Sequence, residues 1–321
     1  CFAFAAVRKE ENDGMNTQHD VIVFGGACCD LIFHGLPSMP KLGEEIWAEG
    51  LELSAGGMMN TAAALARLGL KVGLVAEAGT DVWGGFIAET MREEGIDPSF
   101  LHIHEGPYPQ LTVAINYKND RSFVSYAAKH GMAAHQAHML RCVRDSDAKM
   151  YHFSASREYA DAIKEAKRLQ KTISLDASWD EEWLRHPEFK SLVGLADIFL
   201  PNQKEAEVIT GKADPYEALE ALAQWVPVAV VKLGEQGAIC KADGVVYSMA
   251  AQAVEAVDAT GAGDCFAAGF LYGRIAGMSI EECLKIAVYC GSRCVAAVGG
   301  FAGAPTLAQI ARELPFVRIQ S

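Results

Sequence analysis

The sequence predicts an α/β protein, with a mainly parallel sheet covered by helices on both faces and a small separate sheet beside it. Three observations carry this. Short apolar runs alternate with helix-period stretches from Val21 to Ala297, the pattern of strands that pair in parallel through crossover helices. One segment breaks the alternation: Leu111–Tyr117 and Ser122–Tyr126 flank a polar Lys118-Asn119-Asp120-Arg121 turn, and so read as a hairpin. No internal repeat or low-complexity linker divides the chain, so residues 15–321 form one domain.

In order, Val21–Phe24 is a buried strand that stops at Gly25-Gly26. Glu45–Leu53 alternates as a half-exposed strand, and with the 111–126 hairpin it supplies the small sheet. Asn60–Leu68 has helical spacing and stops at Gly69; Val72–Ala76 is a strand, and Trp83–Glu94 is a helix closed by Gly95. Strands follow at 149–153, 172–176, 197–200 and 227–233, with helices at 158–171 and from Glu205. A hairpin at 238–248 turns on Asp243-Gly244, and helices at 261–273 and 280–297 complete the pattern.

Composition narrows the function. Of 321 residues, 50% are hydrophobic and 21% charged, as in a folded globular protein. Lys plus Arg number 28 against 41 Asp plus Glu, a net charge of -13, which repels phosphate backbones and argues against nucleic acid. No apolar run reaches the length of a membrane span. Nine cysteines with no Cys-x-x-Cys pair indicate thiols in a reducing, cytoplasmic setting. Residues 1–14, apolar and then charged in the reverse order of a signal peptide, are expected to lie outside the fold.

Five segments carry candidate chemistry. The strongest is Asp258-Ala259-Thr260-Gly261-Ala262-Gly263-Asp264. Gly261, Ala262 and Gly263 strip side chains from a helix start, so successive backbone N–H groups and the helix dipole can hold an anion. Asp264 in the first turn can then take a proton from a hydroxyl attacking a phosphate, although a Gly-x-Gly-Asp helix start occurs without function. In Ser54-Ala55-Gly56-Gly57-Met58-Met59-Asn60, the glycines Gly56 and Gly57 allow close approach of a ligand, and Asn60 offers a donor and an acceptor to hydroxyls; a helix cap explains Asn60 nearly as well. Asp30, placed just past the first strand, lies where α/β sheets collect ligands or is an exposed loop acid. Asn202 and Glu205 have capping-box spacing, or organise Mg2+ through water with hard oxygen ligands. Lys232, Gly234 and Gly237 end a strand and border either a nucleotide or merely a hairpin.

Together with Gly79-Thr80-Asp81-Val82-Trp83-Gly84 and Glu94-Gly95-Ile96, these segments, in this order from Val21 to Pro305, resemble the ribokinase-like (PfkB) carbohydrate kinases. The resemblance implies a three-layer α/β/α kinase domain with a small β lid, from about 31–54 and 108–127, which often forms a dimer interface. It implies an ATP-dependent kinase phosphorylating a hydroxymethyl group of a small sugar. Fructose, 2-keto-3-deoxygluconate and another hexose compete as substrate. Asp264 becomes the base, the amides of Gly261, Ala262 and Gly263 the anion hole, and Asp30, Gly56, Gly57 and Asn60 the sugar site. Asn202, Lys232, Gly234 and Gly237 fall by the nucleotide, Asn202 and Glu205 order Mg2+, and Asp258 with the Thr260 carbonyl matches a K+ loop of some relatives. Three departures stand out: Met58-Met59 replace small residues, Cys28 stands where ribokinases proper carry Asn, and Cys290 where relatives often place Asn near the adenine. Arg121, Lys129 and Arg157 are available for a sugar acid or phosphate. A nucleoside kinase, with Phe33, Trp47 and Tyr126 as base walls, and a non-catalytic sugar-binding regulator are the other readings.

Overall fold

The computed structural model describes residues 18–117, 120–128 and 132–318. Residues 1–14, Lys129 and the side chain of Arg121 lie outside the described residues. The strands are β1 (His19–Phe24), β2 (Ala27–His34), β3 (Gly50–Gly57), β4 (Val72–Gly79), β5 (Leu101–His104), β6 (Gln110–Tyr117), β7 (Asp120–Ala127), β8 (Ala148–Ser154), β9 (Ile173–Asp176), β10 (Ile198–Phe199), β11 (Val228–Lys232), β12 (Ala238–Ala242) and β13 (Val245–Met249). Nine of them form one sheet in the order β13-β12-β11-β10-β9-β8-β1-β4-β5, and four form a second, β3-β2-β6-β7. In the large sheet only the β11-β12 and β12-β13 pairings are antiparallel.

Alternation along β1 shows why the interior strands lack an exposed face. Val21 and Val23 join a core beneath the helices Met59–Arg67, Val82–Glu93, Ala262–Ile275 and Ile280–Cys294, whereas Ile22 and Phe24 join the core on the other face. A strand buried on both sides reads as a continuous apolar run, as Val21–Phe24 does.

The expected elements recur with shifted ends, and two corrections bear on function. The chain does not loop after Gly25-Gly26; it enters the small sheet at once, so Asp30 sits within β2 rather than in a loop. The third strand begins at Gly50, and residues 45–48 carry no regular structure. At the crossing between the sheets, Met58 N–H donates to the Gly26 carbonyl (2.9 Å). A Cβ on Gly57 would stand 2.3 Å from that same oxygen, so two chain passages touch at one point. The eight described cysteines are all free, seven of them buried, as expected of packed thiols.

Candidate active site

The glycine turn is built as the sequence suggests, with an unforeseen wall. Gly261 caps helix Ala262–Ile275 in the left-handed region (φ 73°), without a side-chain cap. First-turn amides of a helix have no partner within it, so this end can receive an anion. A Cβ on Gly261 would lie 1.6 Å from the Gly300 carbonyl oxygen, and one on Gly300 would lie 2.2 Å from Asn60 Oδ1. Gly299-Gly300 is thus a third glycine segment of the site, visible in the sequence only as a pair after a helix. Asp258 braces the turn: its Oδ1 accepts from Thr260 N (2.9 Å) and Oγ1 (2.7 Å), and its Oδ2 accepts from Gly299 N (3.1 Å).

Asp264 is half-buried, and its Oδ2 accepts from Asn60 Nδ2 at 2.9 Å. Asn60 is the second residue of its helix, with its side chain committed to this contact rather than to a cap; its Oδ1 is buried without a hydrogen-bond partner. Burial, reinforced by the Asp176 carboxylate, raises Asp264 to about 6, with Asn60 and Lys232 opposing. A carboxyl titrating there is poised between proton acceptance and release near neutrality.

Asp176, at the end of β9, was not foreseen. Lys232 Nζ donates to its Oδ1 (2.7 Å) and Oδ2 (2.9 Å), and a Cβ on Gly263 would come within 3.4 Å of Nζ. Lys232 therefore lies beside the glycine turn. Burial alone would lower it, but Asp176, Glu205 and Asp264 together hold it above its ordinary value, so it stays charged. A pattern search misses Asp176 because a lone Asp that ends a four-residue strand has no spacing signature.

Asn202 and Glu205 form the reciprocal capping box: Glu205 N donates to Asn202 Oδ1 (2.9 Å) and Asn202 N to Glu205 Oε2 (2.7 Å). Burial raises Glu205 to about 7, against the pull of Lys232. Asn202 pairs alongside Lys232. Gly234 begins a short 3-10 turn with φ 60°, while Gly237 lacks a side chain for a packing reason, a Cβ there lying 1.9 Å from Met249 O.

On the small sheet, Asp30 is 9% exposed, and its carboxylate rests against Gly56, where a Cβ would lie 2.1 Å from Oδ2. Burial raises its pKa, the Cys28 thiol lowers it, and Asp258 raises it. Asp30 acts in turn on Asp264, so acids from β2 and from the glycine turn face a common space. Arg157 stands apart, stacked over the Trp183 ring at 4.8 Å.

A sequence profile described as pfkB family carbohydrate kinase matches residues 18–307. The chain belongs to the pfkB family of carbohydrate kinases. It is a sugar or nucleoside kinase, a phosphotransferase with an alcohol acceptor. This PfkB chain is 28% identical over 280 residues to a 2-dehydro-3-deoxygluconokinase of Bacillus subtilis, covering 81% of this chain and 86% of that protein. It is 29% identical over 268 residues to a cytidine kinase of Thermococcus kodakarensis, covering 80% and 92%. Among solved structures, Arabidopsis thaliana ribokinase complexed with ribose and ATP superposes with a TM-score of 0.77 at 24% identity, covering 95% of this chain and all of that one. Among the described residues, no helix is long and apolar enough to cross a membrane.

Proposed function

We propose that this PfkB kinase transfers the γ-phosphoryl group of ATP to a hydroxymethyl group of a small sugar or sugar acid, such as fructose or 2-keto-3-deoxygluconate. The observation that carries the reading is Asp264, held by Asn60 beside a glycine turn that opens a helix without a side-chain cap. Asp30, with Gly56 and Gly57 beside it, holds sugar hydroxyls. Asn60 keeps the Asp264 carboxylate oriented, Asp264 accepts the proton of the attacking hydroxyl, and the amides of Gly261, Ala262 and Gly263 stabilise charge on the transferring group. Lys232, kept cationic by Asp176, adds positive potential beside that turn, and Asn202, Gly234 and Gly237 lie toward the nucleotide.

Glu205 and Asp176 offer carboxylate oxygens near Lys232 and Asp264, a donor set that fits Mg2+. When bound, Mg2+ neutralises charge on the phosphates. Asp258 and Thr260 are the residues a K+ ion would meet, and Asp258 also braces the turn through Thr260 and Gly299.

The aromatic residues favour a sugar over a nucleoside. Side chains alternate across a strand, so Phe33 faces away from Asp30, and Tyr126, paired with Leu111 and through it with Cys29, shares the Phe33 face. Trp47 joins Phe33, Leu36, Leu51, Val113 and Ile115 around an open cavity of about 630 Å3 on that outer side. The walls a base would need are therefore turned away from the site. We assign this apolar outer face, where Leu51, Leu53 and Val124 are 44–67% exposed, to contact with a second copy of the chain. Light scattering should then give twice 34.5 kDa, with Val124→Glu shifting it to the single-chain mass; a single-chain mass for the unmodified protein would refute the contact.

A panel of sugars, sugar acids and nucleosides, read by ATP-dependent product formation, tests the function. The best substrate is expected among the ketoses and keto-deoxy acids. Asp30→Ala should raise its KM about 100-fold through loss of charge-assisted hydrogen bonds. A best substrate among the nucleosides would overturn the sugar reading, and an unchanged KM would remove Asp30 from the sugar site.

A further inference from the structure

A second constellation lies at the other edge of the large sheet. Glu77 on β4 sits directly across from His102 on β5, with His104 two residues on and on the same face of the strand. Glu77 Oε1 meets His104 Nε2 at 2.6 Å and His135 Nδ1 at 3.2 Å. His135 comes from helix Met132–Asp145, so three elements converge on one carboxylate. Its second oxygen accepts from Tyr108 Oη at 2.9 Å, which fixes its orientation. Glu158 Oε1 is 3.4 Å from His135 Nε2.

Two features exceed what packing requires. Ligand atoms of Glu77, His102 and His104 all lie within 4.8 Å of one another. His135 is 4% exposed, yet neither ring nitrogen makes a well-formed hydrogen bond, a costly state for a buried polar ring. We propose that Glu77, His102 and His104, with His135 closing from the helix, bind one divalent ion of the Zn(II) class as a structural site. The donor set is imidazole nitrogen plus one carboxylate, which suits Zn(II) or Co(II) and not Mg2+. Tetrahedral bonds of about 2.0–2.1 Å place ligand atoms about 3.4 Å apart, so Glu77, His102 and His104 contract from within 4.8 Å, while His135, now grouped with Glu77 and Glu158, swings in through its contact with Glu77. Tyr108 supplies the outer hydrogen bond that such ligands use. The ion ties the edge strand β5 to β4 and to the helix of His135.

The test uses the full chain, stripped with EDTA and kept reduced, without nucleotide. Zn(II) is titrated in competition with a chromophoric chelator, and Co(II) is followed by its visible bands. One equivalent of Zn(II) is expected, with a higher Tm and Co(II) bands of tetrahedral nitrogen–oxygen type. His104→Gln and His135→Gln should each weaken Zn(II) binding at least about tenfold and abolish the Tm rise. Asp264→Asn, at the phosphate site, should leave Zn(II) affinity unchanged. Failure of the unmodified chain to bind one equivalent overturns the proposal, even if a histidine variant does not fold. So does a thiolate charge-transfer band with Co(II), or affinity that follows Asp264 rather than the histidines.

Discussion

Asp264→Asn should lower kcat by about 10³-fold while leaving sugar and ATP affinity within a few-fold, because positioned proton acceptance contributes on that scale and the amide keeps the shape. The pH profile of the unmodified enzyme offers a second reading. Asp264 titrates at about 6, raised first by burial and then by Asp176, so kcat/KM should fall tenfold per pH unit below about 6. Stability should move the other way. A carboxyl whose folded pKa exceeds its unfolded one near 3.8 destabilises the fold when ionised. That cost is fully present above about pH 6 and vanishes below about pH 4. After allowance for the solvent contact of this half-buried group, it is of order 1 kcal/mol, so the variant should melt roughly 2 °C higher at pH 8 and equally at pH 4. Turnover within tenfold of the unmodified enzyme would remove Asp264 from the chemistry.

Gly261→Ala carries the other large effect. Its φ of 73° disfavours an L side chain by about 1–2 kcal/mol, and the added Cβ would overlap the Gly300 oxygen at 1.6 Å, where backbone must give way. Strain of that kind costs about 1–3 kcal/mol more. Displacing the turn moves the amides proposed to hold the phosphoryl group, so kcat should drop at least about 100-fold while a circular-dichroism spectrum stays native. The comparison variant Gly277→Ala has a similar φ of 72° but nothing within 4 Å of its Cβ; it should lose stability alone. If Gly261→Ala matched Gly277→Ala in turnover, the turn would have no part in phosphoryl transfer.

Much of this was legible in the residues because the chemistry and the backbone demands coincide. Gly261, Gly263 and Asp264 are neighbours in sequence, and a glycine turn before a helix is written in composition. Strand β1 and the helix from Asn60 follow from periodicity. What escaped is what depends on pairing between distant segments. β2 was hidden because two glycines looked like the end of a strand rather than a passage between sheets. Asp176 meets Lys232, and Gly300 meets Asn60, across more than 50 residues of chain. The helix Met132–Asp145, with two histidines, a glutamine and two arginines set among its apolar residues, gave no clean apolar stripe.

The contact of Gly57 and Met58 with Gly25 and Gly26 has a mechanical consequence. Two of the strand connections to the small sheet pass through this one point. Asp30 lies a few residues beyond one connection, and Asn60 a few residues beyond the other. If Asp30 holds the acceptor as proposed, its seating and the steering of Asp264 by Asn60 are tied together through this one contact.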